Sequence, residues 1–427
     1  MALDTAKQVR VMFNMVLDRL EHQQQMAVLC DTFNVSGVEL QNASNVVWKQ
    51  IEQEAGIQEG WDFTDSDFGD IIELSYPSQL GDPRNSLKKL RADDFRDRSF
   101  MERWAEAAAY RLTADQNSRI AELVKDTGSI YFEQAVDGTI NKTGYDAVKL
   151  ASTILSERQQ TMASGLNIFL NDRDAQKVSS DIANRSNMNG LPETVYKNGM
   201  IAYNTAGANL YESSYLPAIS ASTFAGSTVS ADVSQAPVAN RTEAGGLILP
   251  VDYRISDTIT LVSGANLNVG DSIAFTGINS LGEHDKTDTG VEMTFKVVGK
   301  PSGNKVQLYP KPIALDDPAL TVAEKAYANI NTQIVSGTPV VALNTTAARA
   351  NQFWVQDSIE IINGDAPLEY LGQLDGMEVI SETLASGTKV YMAYQGSIND
   401  FTLKCRLFTW YGLTNKNPSA NGNFVIS

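Results

Sequence analysis

DDFRDRSFMERWAEAAAYRLTADQNSRIAELVKDT (93–127) is the stretch on which the reading of the fold turns. Phe100, Trp104 and Ala108 recur at intervals of four, as do Ile120 and Val124, and acidic side chains crowd the first turns. That spacing predicts one long helix, with Asp93 or Asp94 capping its start and Gly128 following its last turn. At 1.5 Å per residue such a helix would run about 50 Å. Ala105, Ala107, Ala108 and Ala109 leave a narrow surface against which another backbone can lie closely. A helix of this length acts as a strut, and the rest of the chain is read as what leans on it.

Upstream of it, Val9, Phe13, Val16, Leu17 and Leu20, with Met12 nearby, share one face of a second amphipathic helix. Two readings stand for that helix: docked on its own domain, or an arm reaching a neighbour or partner. The stretch 35–51 has a strand-like character, and 52–83 is acidic and rich in turns, with Gly56, Gly60, Gly69 and Gly81. Long segments of that kind within a compact protein are functional or mobile loops. ELSY (73–76) fits one strand of a long hairpin there.

Downstream, residues 129–221 mix shorter helical patterns, notably 145–158 and 172–186, with loops. After Pro217 the character changes. ISDTITLVS (255–263), VGDSIAFTG (269–277), VEMTFKVVG (291–299) and KVQLY (305–309) alternate β-formers with polar residues, broken by Gly, Asn and Pro. This predicts a small antiparallel barrel or sandwich to about residue 344. From 345 onward helical and mixed patterns are expected to return, including ARANQFWVQDSIEII (348–362), so the β-rich block reads as inserted into a mixed domain.

Composition narrows the function. The chain has 427 residues, 43% of them apolar and 20% charged, which suits more than one folded unit and does not suit disorder. A net charge of −17, with 34 basic residues scattered among 51 acidic ones, argues against a dedicated nucleic-acid binder. Cys30 and Cys405 form no CxxC pair, so zinc-ribbon and thioredoxin chemistry are excluded and a reducing compartment is expected. There is no signal-peptide pattern at the start, and no run approaches the roughly 20 apolar residues of a membrane helix. His22 and His284 are the only histidines, and both read as solvated. No phosphate loop, Rossmann fingerprint or nucleophile elbow is found, and Asp62, Asp65, Asp67, Asp70 and Glu73 miss the spacing of a calcium loop. No catalytic residue, metal site or cofactor is expected, and no enzyme. The aromatics Phe224, Tyr253, Phe275, Phe295, Tyr309 and Tyr327 read as core of the β block.

Seven stretches in fixed order carry a resemblance: the opening MAL, EQEAGIQEGWDFTD (52–65), LRADDFRD (90–97), PKPIALDD (310–317), KAYANINT (325–332), NQFWVQDSIEI (351–361) and TWYGL (409–413). Together they resemble the coat proteins of P22-like tailed phages, whereas about 129–250 matches poorly. The resemblance implies an α+β chain with the HK97-type coat fold and an inserted antiparallel β-barrel. Its parts would be an N-terminal arm (1–34), a peripheral domain with the spine helix (35–51 and 84–128), an E-loop (52–83), an axial domain (129–221), the insertion (222–344), and a closing segment that completes the axial and peripheral domains (345–427).

By the same resemblance the chain would be a major capsid protein, assembled with a scaffolding protein in the host bacterial cytoplasm. Hexamers and pentamers would form an icosahedral shell of triangulation number seven, joined to a portal protein and enclosing double-stranded DNA without sequence-specific binding. Neither proteolytic maturation nor covalent cross-linking is implied. Contact residues follow as expectations. Trp61 and Phe63 would anchor the E-loop on an adjacent subunit, with Asp62, Asp65 and Asp67 meeting basic partners. Asp18 and Glu21 would meet the scaffolding protein. Arg241, Glu243, Asp252 and Arg254 would belong to a loop between capsomers, although its GGLILPV core (245–251) is more apolar than the family's polar version. The competing readings are an encapsulin-type nanocompartment shell and a carbohydrate-binding or adhesive module.

Overall fold

The computed structural model describes residues 5–35, 46–53, 61, 72–91, 94, 97–135, 143–160, 165–185, 200–205, 207–242, 246–264, 266–366, 377–397 and 402–427. The chain divides into two compact units. The first comprises Met1–Val47, Ser78–Ile120 and Ile359–Thr414, and the second Trp48–Pro77, Ala121–Ser358 and Asn415–Ser427.

In the first unit, helix α1 (Thr5–Gln23) and the leading part of helix α2 (Arg98–Thr127) lie against a four-stranded antiparallel sheet. Its strand order is Met377–Thr383, Lys389–Ser397, Thr402–Thr409, Arg84–Arg91. Most of the apolar stripe of α1 is buried: Val9, Met12, Phe13 and Val16 are at 0% exposure, packed with Trp104, Ala105, Ala108, Val390, Met392 and Leu407, and Leu17 is half-buried. Of the two readings of this helix, docking on its own chain is therefore what is found. Burying several such side chains is favourable by roughly 1.5–3 kcal/mol each. A further sheet pairs Asp31–Asn34 in parallel with Ile359–Asn363, followed by Tyr411–Asn415.

The long helix starts later than its sequence suggests. Asp93 lies outside the described residues, and the Asp94 carboxylate accepts the Arg91 backbone N–H instead of capping. Asp97 takes the capping place, accepting the Ser99 N–H at 3.0 Å and the Ser99 hydroxyl at 2.9 Å. The reason is local: only Asp97 stands within two residues of the first free amides. Those hydrogen bonds, led by that of the Ser99 hydroxyl, hold its carboxyl below the usual range.

The second unit is built on a mixed six-stranded sheet in the order Ile130–Gln134, Asn421–Ile426, Asn351–Val355, Leu166–Leu170, Ala208–Glu212, Met200–Thr205. Helices α3 (Gly144–Glu157) and α4 (Asp172–Arg185) cover one face through Ala147, Val148, Ala151, Leu155, Ala175 and Val178. Any Cβ at Gly144 would meet Val178 Cα at 2.9 Å, so glycine sets how closely the two helices approach. Thr143 and Asp146 close a reciprocal capping box on α3. The sheet also grips the last turns of α2: the Gln352 amide donates to Ala121 O at 2.7 Å and the Asn423 amide to Val124 O at 3.0 Å.

The stretch 348–362 is where the sequence reading fails. It forms strands Ala348–Arg349, Asn351–Val355 and Ile359–Asn363, the last two separated by a 3-10 turn at Gln356–Ser358. Every residue of the two longer strands is buried, so no alternation of polar and apolar residues marks them as β.

An antiparallel six-stranded sheet also lies in this unit, in the order Ser227–Thr228, Pro339–Ala342, Ser272–Leu281, Asp288–Ser302, Lys305–Tyr309, Ile259–Thr260. Its two edges meet. Val229 bridges Leu261, the Val262 N–H donates to Thr228 O and the Ser230 N–H to Thr260 O. Phe275 and Phe295 pack edge to face at 5.6 Å in its interior, with Leu308, Val340 and Ile273. Among the other expected aromatics, Tyr309 and Tyr327 are buried, whereas Phe224 and Tyr253 are half-buried. Finally, Val46–Ile51 and Leu74–Gln79 pair as a two-stranded sheet, so ELSY does contribute to a hairpin-like strand.

Candidate assembly surfaces

The four-stranded sheet of the first unit has two unlike faces, and its register fixes them. Tyr394 lies opposite Cys405 and Met392 opposite Leu407, all facing the helices. The alternate set faces away: Asn85, Leu87, Lys89 and Arg91 on one strand, and Lys404, Arg406 and Phe408 on the next, with Lys404 opposite Lys89 and Arg406 opposite Leu87. Beyond them stand Tyr391, Ala393 and Gln395, then Met377, Val379 and Ser381. Five cations, Lys89, Arg91, Lys404, Arg406 and Lys389, and no carboxylate of these strands therefore occupy the outer face, in a chain of net charge −17; Lys389 is paired with Asp365 at 3.2 Å, beyond the strands. Leu87 is 72% exposed there, beside a groove of about 400 Å³ bounded also by Met377, Ala393 and Arg406. Arg406 is held in place, donating to Asn85 Oδ1 at 2.7 Å and lying 5.1 Å over the Phe408 ring. Sequence reasoning missed this face. The signal was present in the two-residue spacing of Leu87, Lys89 and Arg91 and of Lys404 and Arg406, but only the pairing register joins the two sets.

The expected contact residues are distributed as follows. Trp61 is fully exposed, at 100%. Asp62, Phe63, Asp65 and Asp67 lie outside the described residues. Asp18 and Glu21 are both on the exposed face of α1, and the Glu21 carboxylate accepts the Ala385 N–H at 3.3 Å. Arg241 is exposed on a small hairpin of Asn240–Thr242 with Ile248–Pro250, whose apolar residues Leu247 and Ile248 are 59% and 64% exposed. Glu243 lies outside the described residues.

Asp252 and Arg254 are drawn inward rather than displayed. Arg254 is 6% exposed, forms a two-pronged ion pair with Asp252 at 2.8 Å on both prongs, and donates to Asn415 O. Its guanidinium also lies 4.8 Å from the Tyr76 ring centroid. Their charges are satisfied within the unit, so among the described residues of this hairpin the exposed charge is that of Arg241. The resemblance assigned both residues to a loop between capsomers, whereas hydrogen bonding and stacking hold them within their own unit.

Among the described residues no cluster of three His, Cys, Asp or Glu is arranged to hold a metal ion, and no helix is long and apolar enough to cross a membrane. Burial pushes the Cys405 thiol up to about 12 and raises Cys30 as well, so neither is a ready thiolate. His22 is exposed.

Residues 1–425 match the family model described as P22 coat protein, gene protein 5. Among solved structures, the chain is similar to the capsid of the cyanophage P-SCSP1u at 9% identity, over 93% of this chain and 86% of that one, with a TM-score of 0.42. It is similar to a structure of Mycobacterium phage Che8 at 11% identity, over 94% and 90%, with a TM-score of 0.38. The CUS-3 coat protein I-domain aligns at 26% identity over 30% of this chain and 98% of its own length, with a TM-score of 0.22. At such TM-scores these structural likenesses carry no argument by themselves, and the family match carries it.

Proposed function

Because the chain belongs to the P22 coat protein family and is a phage capsid subunit, we propose that its copies close into an icosahedral shell by laying the acidic segment 52–73 of one copy across the cationic sheet face of the next. The observation that carries this reading is a charge asymmetry. Residues 52–73 hold eight carboxylates and no Lys or Arg, together with the fully exposed Trp61. The outer sheet face holds Lys89, Arg91, Lys404 and Arg406 with no carboxylate on its strands. Trp61 or Phe63 is the apolar anchor for the groove beside Leu87, and Asp62, Asp65 and Asp67 meet the cations. Large aromatics seated in a pocket and ringed by charge are the usual energetic centre of an interface.

The remaining parts of the reading follow the family. In it the chain has the HK97-type coat fold, and the six-stranded antiparallel sheet is its inserted barrel. Hexamers and pentamers form with a scaffolding protein, which meets the exposed Asp18 and Glu21, and with a portal protein. The shell has triangulation number seven, is assembled in the bacterial cytoplasm, and encloses double-stranded DNA without reading its sequence. The 240–250 hairpin contacts a neighbouring capsomer through Arg241 and its apolar residues. Family membership favours this over a nanocompartment shell or a carbohydrate-binding module.

The test is assembly itself. Lys404→Glu with Arg406→Glu leaves a soluble folded chain that forms few closed particles by negative-stain microscopy, and reversing Asp65 and Asp67 to Lys on the same chain restores them. Trp61→Ala impairs closure without lowering the melting temperature. Normal particles from the sheet-face double variant would refute the contact.

A further inference from the structure

A cavity of about 380 Å³ lies within the second unit, bordered by the end of α3, the turn 282–287 and the segment 416–420. Its construction is specific. Gln159 takes a left-handed backbone conformation (φ 54°) just past α3, and its side-chain oxygen accepts the N–H groups of His284 at 3.0 Å and Asp285 at 3.2 Å. The Glu283 N–H donates to Arg158 O. Any Cβ at Gly282 would collide with Gln159, so glycine lets the turn sit this close. The Asn417 amide donates to the Gln160 side chain at 2.8 Å. The walls are thus fixed by hydrogen bonds on all three sides.

Arg158 occupies this cavity wall in an unusual state. It is 3% exposed, and its Nε and Nη1 have no hydrogen-bond partner. The carbonyls at the end of α3, which are the obvious acceptors, are already satisfied by backbone: Ile154 O by Arg158, Leu155 O by Gln160 and Ser156 O by Gln159. Burial pulls the guanidinium down to about 10, and the nearby Glu157 only partly offsets this. It therefore keeps its charge at neutral pH, offset only in part by Glu157. A buried guanidinium with no acceptor is costly, and native proteins retain such groups where a ligand completes them.

The other lining charges sharpen the sign. Arg254 and Lys311 also border the cavity but are matched by Asp252 and Asp257. Lys286 reaches in to donate to Ala328 O at 3.1 Å, its charge partly offset by the Glu283 and Asp285 carboxylates. Lys416 adds a further cation. Against these stand Glu283, whose carboxylate receives the Gln53 amide at 3.5 Å, and the exposed Asp357. His284 stands exposed at the rim.

We propose that this cavity binds a small oxyanion of the phosphate class, with Arg158 as its principal ligand and Lys286 and Lys416 completing the positive wall. A planar fork of free donors matches the oxygens of a tetrahedral anion, and the flanking ammonium groups favour multivalent over monovalent anions. The volume accommodates such an ion with several waters. The site does not depend on how the shell is assembled, and binding at it stabilises the folded chain.

The experiment uses the full-length purified chain with inorganic phosphate as the probe, in chloride buffers matched for pH and ionic strength. Phosphate raises the melting temperature of the wild type and broadens the phosphorus-31 resonance of the added ion. Arg158→Met weakens phosphate binding by on the order of 100-fold, as expected for charge-assisted hydrogen bonds. In phosphate-free buffer the same variant melts at or above the wild-type temperature, because it removes an unmatched buried charge. That inversion is one that a purely structural arginine would not give. Lys286→Met, which leaves the guanidinium in place, weakens binding by about tenfold and serves should Arg158→Met fail to fold. Absence of broadening and of thermal shift in the wild type overturns the proposal, as does binding that neither variant changes.

Discussion

Two arginines of the same unit are equally hidden and oppositely treated. Arg254 is 6% exposed with its guanidinium engaged by the Asp252 carboxylate, by Asn415 O and by the Tyr76 ring; Arg158 is 3% exposed with Nε and Nη1 bonded to nothing. Burial alone therefore says little about what a charged side chain does. The partners decide. A fully matched guanidinium is a fastener, ordering the chain that leaves the 240–250 hairpin, whereas an unmatched one is a vacancy in the hydrogen-bond accounting. The comparison breaks if Arg254 proves dispensable. Arg254→Met strands the Asp252 carboxylate, which is 15% exposed, and is expected to cost about 3–5 kcal/mol, the range for breaking a buried ion pair from one side. Urea denaturation monitored by circular dichroism measures it, and a loss below about 1 kcal/mol would place this pair with ordinary surface ion pairs.

Lys296 supplies the intermediate case. It is 1% exposed and donates to Ser272 Oγ at 3.0 Å, so one of its donors is matched and its charge is not. Burial lowers it to about 8, with Asp126 and Asp271 resisting the shift. Below pH 8 the lysine is charged in both the folded and the unfolded chain, and the folded state carries the whole penalty of hiding it. As pH rises from about 8 toward the ordinary lysine value, the folded state releases its proton first and the penalty disappears. Stability of the wild type relative to Lys296→Met is thus expected to increase by about 3 kcal/mol across that window. Taking the difference between the two proteins cancels the tyrosines that titrate over the same range. A flat difference from pH 7.5 to 10.5 would mean that water reaches the ammonium.

These contrasts also show what a sequence can disclose. Helices α2, α3 and α4 were legible because each alternates a buried stripe with a solvated one. The antiparallel sheet between 222 and 344 was legible because its letters alternate β-formers with polar residues, as Met293, Phe295 and Val297 do with Thr294 and Lys296, even though all five are buried. The strands 351–355 and 359–363 were not, since burial of every residue erases alternation and leaves an apolar run that either period could claim. For α1 the stripe was plain, yet an apolar face does not name the core that receives it; Trp104 and Ala108, some ninety residues on, supply that core. The candidate surfaces were least legible. Trp61 was singled out as an anchor of the segment that the resemblance makes an E-loop, but the cationic face that we propose receives it is assembled by strand register from residues about three hundred positions apart. Nothing in the letters distinguishes Arg158 or Arg254 from an ordinary surface arginine, because matching is a property of three-dimensional neighbours.

The smallest expected effect tests whether the strain at Arg158 is local. Helix α3 starts at the Thr143–Asp146 capping box and ends beside Arg158, about 20 Å away at 1.5 Å per residue. Thr143→Ala removes the hydroxyl that accepts the Asp146 N–H and also leaves the Asp146 carboxylate without the hydroxyl it receives at 2.7 Å. Loss of such a cap costs about 1 kcal/mol, and Thr143→Ser should restore most of it. If the unmatched guanidinium is a local feature of the cavity, the change caused by Arg158→Met in phosphate-free buffer adds to that of Thr143→Ala to within about 0.5 kcal/mol, as it does for sites this far apart. A coupling larger than 1 kcal/mol would instead mean that the helix shifts as a body when its cap is lost, carrying Arg158 toward or away from an acceptor. Arg158 would then be unmatched because of where the helix is held, rather than because the cavity awaits an anion.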